Sequence, residues 1–402
     1  MKTQSISITE ANDRIAALSK NAWVETHSGP ENLDAPIDPA IRVTSTPTSH
    51  KIELVINDVA VSWTTIFDFQ QQIGHGVVRT AGIADVRTHD DHRFKGYSRR
   101  VMENAIRVMR QYGFDMALLF GIPAFYPKYG YAPAYPVPHF SMPVRHAETP
   151  QANGYEIVPY EPRHLSAVLK MYHENNRGRT GPWRRDPKLW KVFRKGLGYK
   201  TKSIVKVLLD AKQKTVGYFV CDDSNLTATF IEVGYATMAV FPDILRAMAE
   251  YAWSQRLENI KMVLPEDHEF IDYCKPRGLS MEKSWRKDGG PMIRLVNIPS
   301  TFTKISDDLA ARMRQAGSLN IRTNLDSVNL SWQSGKMRVG PAERKGASVQ
   351  LPQWALAQLI HGYRKASSFA GEGILKGNAQ ALEILEEMFP VHPHFHYAVD
   401  QF

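Results

Sequence analysis

The segment with the most evident chemistry runs from Asp85 to Arg100 and contains His89, Asp90, Asp91, His92, Arg93, Phe94, Lys95, Gly96, Tyr97 and Ser98. Glycine at 96 lets the backbone turn and leaves N–H groups uncovered at the start of a helix. Unsatisfied donors and the positive dipole end attract phosphate there. Arg93, Lys95, Arg99 and Arg100 add charge to the same cradle. The bland reading is a solvated basic face on a first helical turn. A short aromatic turn follows, Gly121-Ile122-Pro123-Ala124-Phe125-Tyr126-Pro127-Lys128-Tyr129-Gly130-Tyr131. Two histidine clusters offer metal-ligating types. His392, His394 and His396 alternate, so a strand would put all three on one face. His89, Asp90, Asp91 and His92 form the other. Neither is accompanied by a His-Glu-x-x-His motif or a carboxylate triad, so hydrogen bonding or a solvated loop is expected and no metal.

The elements around the basic loop form one unit. Lys51–Ile56, Val59–Ile73 and Val77–Val86 read as strands of an antiparallel meander, turned at Asn57-Asp58 and at Gly74-His75-Gly76. The periodicity then changes to about 3.6 over a helix from Ser98 to Tyr112, stopped by Gly113. Met116–Phe120 is a short apolar run, as a buried parallel strand should be. Before this unit lie a helical stretch near Glu10–Trp23 and a Pro-rich connector over residues 31–50, expected to lack regular structure.

A second stretch repeats the order. The helix Phe241–Gln255 leads into the strand Ile260–Leu264, Gln255–Leu264 lines up with Gln111–Phe120, and Tyr273-x-Lys275-x-x-Gly278 echoes Tyr126-x-Lys128-x-Gly130. This argues for duplicated domains. The second copy lacks the glycine and the basic cluster, reading Tyr235 to Pro242 in their place. From about residue 291 the texture changes. Met292–Ile298 leads to a helix near Pro299–Ala316, strands at 318–324, 327–334, 336–340 and 347–351, and helices near 353–363 and 379–389. These make an α+β module of about 110 residues.

The loop and turn together resemble the GNAT acyl-CoA N-acyltransferases, with Arg93-Phe94-Lys95-Gly96-Tyr97-Ser98 in place of Arg/Gln-x-x-Gly-x-Gly/Ala. With the degenerate copy, Ile293–Pro299 and an apolar end at Phe402, the chain is similar to the enhanced intracellular survival (Eis) branch. The resemblance implies an α/β (α+β) fold of tandem GNAT domains, catalytic at 1–150 and degenerate at 151–290, then a sterol-carrier-like domain at 291–402. It implies acetyl-CoA as co-substrate, pantetheine inserted between two splayed parallel strands, and a hexamer. Contacts would come from Val86, Arg87 and Thr88 on the strand, from Phe94, Lys95, Gly96, Tyr97, Ser98 and Arg99 on the loop, and from Gly121 and Ile122. The implied acid is Tyr126, with Tyr129 and Tyr131 close enough to be confused with it. The implied base is the α-carboxylate of Phe402, with Asp400 as substitute. The acceptor would be a primary amine, aminoglycoside-like or a lysine side chain. The alternative is a non-catalytic lipid or acyl-CoA carrier.

The whole sequence agrees with a globular protein of two or three domains. It has 402 residues, 43% apolar and 23% charged, and 50 Lys and Arg against 41 Asp and Glu leave +9. The excess favours an anionic partner, but no basic stripe interleaved with stacking aromatics points to nucleic acid. No apolar run is long enough for a membrane span, and the N-terminus lacks a signal-peptide pattern. Cys221 and Cys274 are read as reduced thiols of a cytoplasmic protein.

Overall fold

The computed structural model describes residues 32–402 apart from Lys191, Tyr199 and Asn225, so the helix expected over Glu10–Trp23 lies outside the described residues. The chain divides into two compact units. Of the described residues, one takes 32–69, Gly76–Ala134 and Arg286–His392, and the other takes Gln70–His75, Tyr135–Trp285 and Pro393–Phe402.

In the first unit β-branched runs fold back on one another as β1 (Ile41–Ser45), β2 (Ser49–Ile56), β3 (Val59–Ile73) and β4 (Gly76–Thr88). Asn57 and Asp58 both have positive φ, 49° and 63°, which suits the tight turn between β2 and β3. The Pro-rich stretch is not wholly irregular. Pro39 and Pro47 bracket β1, whose Ile41, Val43 and Thr44 suit a pleated edge and pair with Leu54, Ile52 and Lys51. Helix α1 (Tyr97–Gln111) buries Val101, Met102, Ala105, Ile106, Val108 and Met109 on one face. It leads through Gly113, at φ 75°, into β5 (Met116–Gly121), parallel to β4. Among the described residues the sheet order is β1, β2, β3, β4, β5, then Gly290–Leu295, then β6 (Ala132–Pro133). The strand expected to open the last module therefore completes the first sheet.

The second unit holds β7 (Pro138–Pro143), α2 (Val144–Ala147), β8 (Glu156–Pro159), α3 (Leu165–Asn175), β9 (Ser203–Leu209), β10 (Thr215–Asp222), β11 (Ala228–Tyr235), α4 (Phe241–Ser254), β12 (Asn259–Met262), α5 (Glu269–Cys274) and β13 (Ser280–Lys283). Its sheet runs β13, β7, β12, β11, β10, β9, β8, with β11 and β12 parallel. The expected helix and strand of the repeat are α4 and β12. Cys221 and Cys274 are free buried thiols, and burial pushes both up to about 12.

After β14 (Gly290–Leu295) come α6 (Ile298–Arg312), β15 (Gly317–Arg322), β16 (Ser327–Gln333), β17 (Lys336–Pro341), β18 (Ala347–Gln350), α7 (Gln353–Ile360), α8 (Ala366–Gly371), β19 (Lys376–Gly377) and α9 (Ala379–Met388). They form a five-stranded sheet, β17, β16, β15, β18, β19, with helices. Asn297 caps α6 through Ser300 N–H, and the helix stops at Arg312, short of the expected Ala316. His392, His394 and His396 do not lie on a strand. Among the described residues one isolated β-bridge, Thr180 to His394, falls in this stretch. His394 stacks on Tyr135 with centroids 4.0 Å apart, and His396 accepts from Trp183 Nε1 at 3.1 Å.

The first unit is tied together by the fully buried Asp115 carboxylate. It accepts from Arg79 N–H, Ser300 Oγ and Lys304 Nζ, each at 2.6 Å, while its carbonyl accepts from Val296 and Asn297 N–H. Removing one member of a buried charge cluster leaves partners unsatisfied. Asp115→Ala should lower the unfolding free energy by about 3 kcal/mol, read from urea denaturation. A loss below about 0.5 kcal/mol, the scale of an ordinary surface substitution, would contradict this assignment.

Candidate functional site

The site begins with two parallel strands that part. Pairing of β4 with β5 covers Thr80–Ile83 against Met116–Leu119. Beyond it β4 continues to Thr88 and β5 to Gly121 with no ladder between them among the described residues. Their outer edges stay committed. Gly121 and Phe120 pair with Gly290 and Pro291, while Ala84 and Arg87 carbonyls accept from Thr64 and Ser62 hydroxyls at 3.0 Å. Asp85 marks the divergence with φ 53°, and its carboxylate holds Trp63 Nε1 and Arg87 Nε. The end of β4 over Val86, Arg87 and Thr88, with the Arg87 carbonyl turned to Ser62, and the end of β5 at Gly121 and Ile122 thus flank a notch. An extended amide-bearing chain can hydrogen-bond to such an edge.

The basic loop lies at the end of β4. Gly96 has φ 75° and is the N-cap of α1, with no side-chain cap. A Cβ built there meets nothing within 4 Å, so backbone conformation rather than space calls for glycine. The N–H groups of Phe94, Lys95, Gly96, Tyr97 and Ser98 find no acceptor among the described residues, whereas Arg99 and Arg100 N–H close on Gly96 O. This is the donor array a diphosphate requires. Arg93, Lys95 and Arg99 are exposed, with Arg93 paired to Asp90 at 2.7 Å. Arg100 does not belong to the cradle. Asp38, missed from the sequence, takes its guanidinium at 2.6 Å and has its own pKa held down by the Ala40 N–H and by Arg100.

The aromatic turn separates its tyrosines. Tyr129 and Tyr131 are fully buried with hydroxyls that find no partner among the described residues, and burial pushes Tyr129 up to about 12 and Tyr131 further. Tyr126 is half-buried, its hydroxyl makes no hydrogen bond among the described residues, and burial raises its pKa more mildly. Its ring lies on the end of β5, where a Cβ on Gly121 would meet Tyr126 Cδ2 at 2.5 Å. The turn is held from behind by residues the sequence reading did not single out. Arg294 Nη1 donates to Tyr129 O, and Gln353, from α7, donates to Gly130 O while accepting from Leu295 N–H at 2.8 Å. A glutamine buried in an apolar helix was the available signal.

In the second unit the C-terminal segment is packed, with Phe395, Tyr397, Ala398, Val399 and Asp400 buried. Phe402 is half-buried and meets Trp183 edge to face, centroids 6.3 Å apart. Asp400 is no substitute base. It is paired with Arg185 at 2.9 Å and accepts from Trp190 Nε1 at 3.0 Å.

The repeat of the notch is closed. Counted from the corresponding positions Thr80 and Ala228, Val233 and Tyr235 stand where Asp85 and Arg87 stand in the first copy. His268 donates from Nε2 to Val233 O at 3.1 Å, its Nδ1 accepting from Phe270 N–H. Asn175 pairs with both N–H and C=O of Tyr235 at 2.9 and 3.0 Å. Side chains of the chain itself thus occupy backbone groups of β11, whereas in the first copy the Arg87 carbonyl is taken by the Ser62 hydroxyl of β3. Among the described residues no group of three or more His, Cys, Asp or Glu is placed to hold a metal ion, and no helix is long and apolar enough to cross a membrane.

Comparison with known proteins agrees with this geometry. Residues 11–134 match the acetyltransferase (GNAT) domain and residues 320–396 the sterol carrier protein domain. The chain is an acetyl-CoA-dependent GNAT N-acetyltransferase. It joins a GNAT acetyltransferase domain to a sterol-carrier-like domain, and its fold is similar to that of an Eis protein. A probable N-acyltransferase from Enterococcus faecalis V583 is 15% identical with TM-score 0.71, over 86% of this chain and 88% of that one. A GCN5-related N-acetyltransferase from Kribbella flavida is 18% identical with TM-score 0.67, covering 88% and 87%. Eis1 from Mycobacterium abscessus is 14% identical with TM-score 0.62, covering 100% and 99%. No curated protein matches the chain by sequence.

Two outcomes follow from these contacts. Gly121→Ala should displace the Tyr126 ring and lower kcat at least tenfold, measured by thiol release at saturating acetyl-CoA; an unchanged kcat would separate the ring from the chemistry. His268 is held neutral by burial, its pKa pushed down to about 4 from about 6.5 when unfolded. Its contribution is complete above pH 6.5 and is lost as pH falls towards 4. The unfolding free energy should therefore drop over that window by up to about 3 kcal/mol from this group, and the drop should be smaller in His268→Gln.

Proposed function

We propose that the chain transfers acetyl from acetyl-CoA to a primary amine by direct attack, the acceptor being an aminoglycoside-like polyamine or a lysine side chain. The observation that carries this reading is the notch between β4 and β5, open on its inner edges, beside an uncapped helix start and under the Tyr126 ring. Backbone groups of Val86, Arg87 and Thr88 would hold the pantetheine arm against β4, with Gly121 and Ile122 on the opposite wall. The N–H groups of Phe94 to Ser98, with Lys95 and Arg99, would hold the diphosphate. The uncovered donors and the Cβ-free space at Gly96 fit such a group.

In this reading the amine lone pair attacks the thioester carbonyl, a C–N bond forms and the C–S bond breaks. Tyr126 gives its phenolic proton to the departing sulfur. The ammonium proton passes to the Phe402 carboxylate, the base of this mechanism. Of the three neighbouring tyrosines, only Tyr126 combines partial exposure with a hydroxyl that makes no hydrogen bond among the described residues and is not sealed in the interior. The ordered packing of residues 395–400 supports a tail with a defined place. The division into a catalytic domain at 1–150, a degenerate copy at 151–290 and a sterol-carrier-like domain at 291–402, a cytoplasmic location and a hexameric assembly belong to the same proposal.

The test is thiol release from acetyl-CoA over a panel of amines. Tyr126→Phe and removal of Phe402 should each lower kcat by about a hundredfold or more; both variants at wild-type turnover would overturn the mechanism. No release with any amine would hand the function to a carrier of lipid or acyl-CoA. Because burial raises the Tyr126 pKa above its ordinary 10, the acid stays protonated across the neutral range. Activity should be lost only as pH rises through that raised value, so the alkaline limb of kcat should lie above pH 10 and vanish in Tyr126→Phe.

A further inference from the structure

Arg185 is fully buried and holds two carboxylates at once. Nη1 and Nη2 each reach Glu232 at 2.6 Å, and Nε and Nη2 reach Asp400 at 2.9 Å. Its guanidinium carbon lies 3.6 Å from the Tyr172 ring centroid and 4.3 Å from that of Trp190. Tyr218 donates to Glu232 at 2.6 Å, and Trp190 and Tyr172 donate to Asp400 at 3.0 and 3.4 Å. Asp400 closes the short turn Ala398–Asp400, and Gln401 N–H folds back on Ala398 O. Gln401 and Phe402 come next, a reach of about 7 Å when extended.

We propose that the second acetyltransferase copy serves as the anchor of the tail: Arg185, oriented by Glu232, clamps Asp400 and so fixes where the Phe402 carboxylate can stand. Three buried charges are a poor device for stability alone, since well-packed apolar residues usually do as well. What a guanidinium fork gives is direction, because its planar donors fix two carboxylates in one geometry. Segments at the edge of a domain fray unless tied, and Asp400 ties this one two residues before Phe402. Glu232 is in β11 at the position that corresponds to Ala84 of β4. The strand that lines the notch in the first copy thus carries the clamp in the second, where His268 and Asn175 have closed the notch. Arg185, Glu232 and Asp400 are positioning residues, and the inference rests on the proposed role of Phe402.

The experiment uses the full chain, comparing wild type, Asp400→Asn and Trp190→Phe, each with and without Phe402, after circular dichroism establishes folding. Two quantities are read: the rate at which carboxypeptidase releases Phe402 from the folded protein, and kcat and Km in thiol release. Asp400→Asn should speed release of Phe402 at least tenfold and lower kcat about tenfold with the Km for acetyl-CoA unchanged. Trp190→Phe, which removes only one hydrogen bond to Asp400, should do both to a lesser degree. In chains lacking Phe402 neither substitution should lower kcat further. Wild-type release and kcat in both variants would overturn the anchor. So would an equal loss of kcat with and without Phe402, since the clamp would then act through folding and not through the tail. Faster release in a protein whose kcat is indifferent to removing Phe402 would sustain the anchor and sink the base.

Discussion

Everything at the site depends on the failure of β4 and β5 to stay paired. Backbone N–H and C=O groups seek partners, and a parallel ladder that stops at Ile83 and Leu119 leaves the inner edges of two strands to be satisfied by something else. The outer edges are held by the antiparallel pairing of β5 with β14 and by side-chain hydroxyls from β3, so the gap does not close by collapse. The break coincides with the positive φ of Asp85, whose carboxylate is held by Trp63 and Arg87. The helix start that follows β4 then points its uncapped donors toward the same end of the sheet.

The duplicate is the control that the molecule provides. It keeps the parallel pair, the crossover helix and the Gly-terminated turn, yet Gly96 has no counterpart and the inner edge of its first strand is bonded to His268 and Asn175. Two polar side chains suffice there because each bonds directly to the backbone of β11. With the notch closed, β11 is free to carry Glu232, and the buried charge cluster around Arg185 can form on it.

The last module contributes to the first sheet without contributing a candidate site residue to it. β14 completes the sheet beside β5, and Gln353 and Gln358, from α7, donate to the carbonyls of Gly130 and Pro133. A turn that carries a candidate acid is thereby supported from behind by buried hydrogen bonds, each expensive to leave unmade. Arg110 adds an ion pair to Asp326 at 3.0 Å, joining α1 to the hairpin turn between β15 and β16.

The sequence by itself determined what depends on near neighbours along the chain. The meander, helix α1, the glycine that must reach positive φ at 96, the aromatic turn and the repeat of helix and strand were all legible, because periodicity and turn chemistry are local. It misjudged Ile41–Ser45, whose prolines read as a connector until β2 offered an edge to pair with. Only the tertiary structure decided which charges were already spent: Arg100 on Asp38, and Asp400 on Arg185. It alone separated Tyr126 from Tyr129 and Tyr131, which share one turn but not one burial. It alone carried Gly290–Leu295 into the first sheet and His268 into the second notch. Those outcomes are set by desolvation and by partners far apart in the chain, and no local pattern of residue types records them.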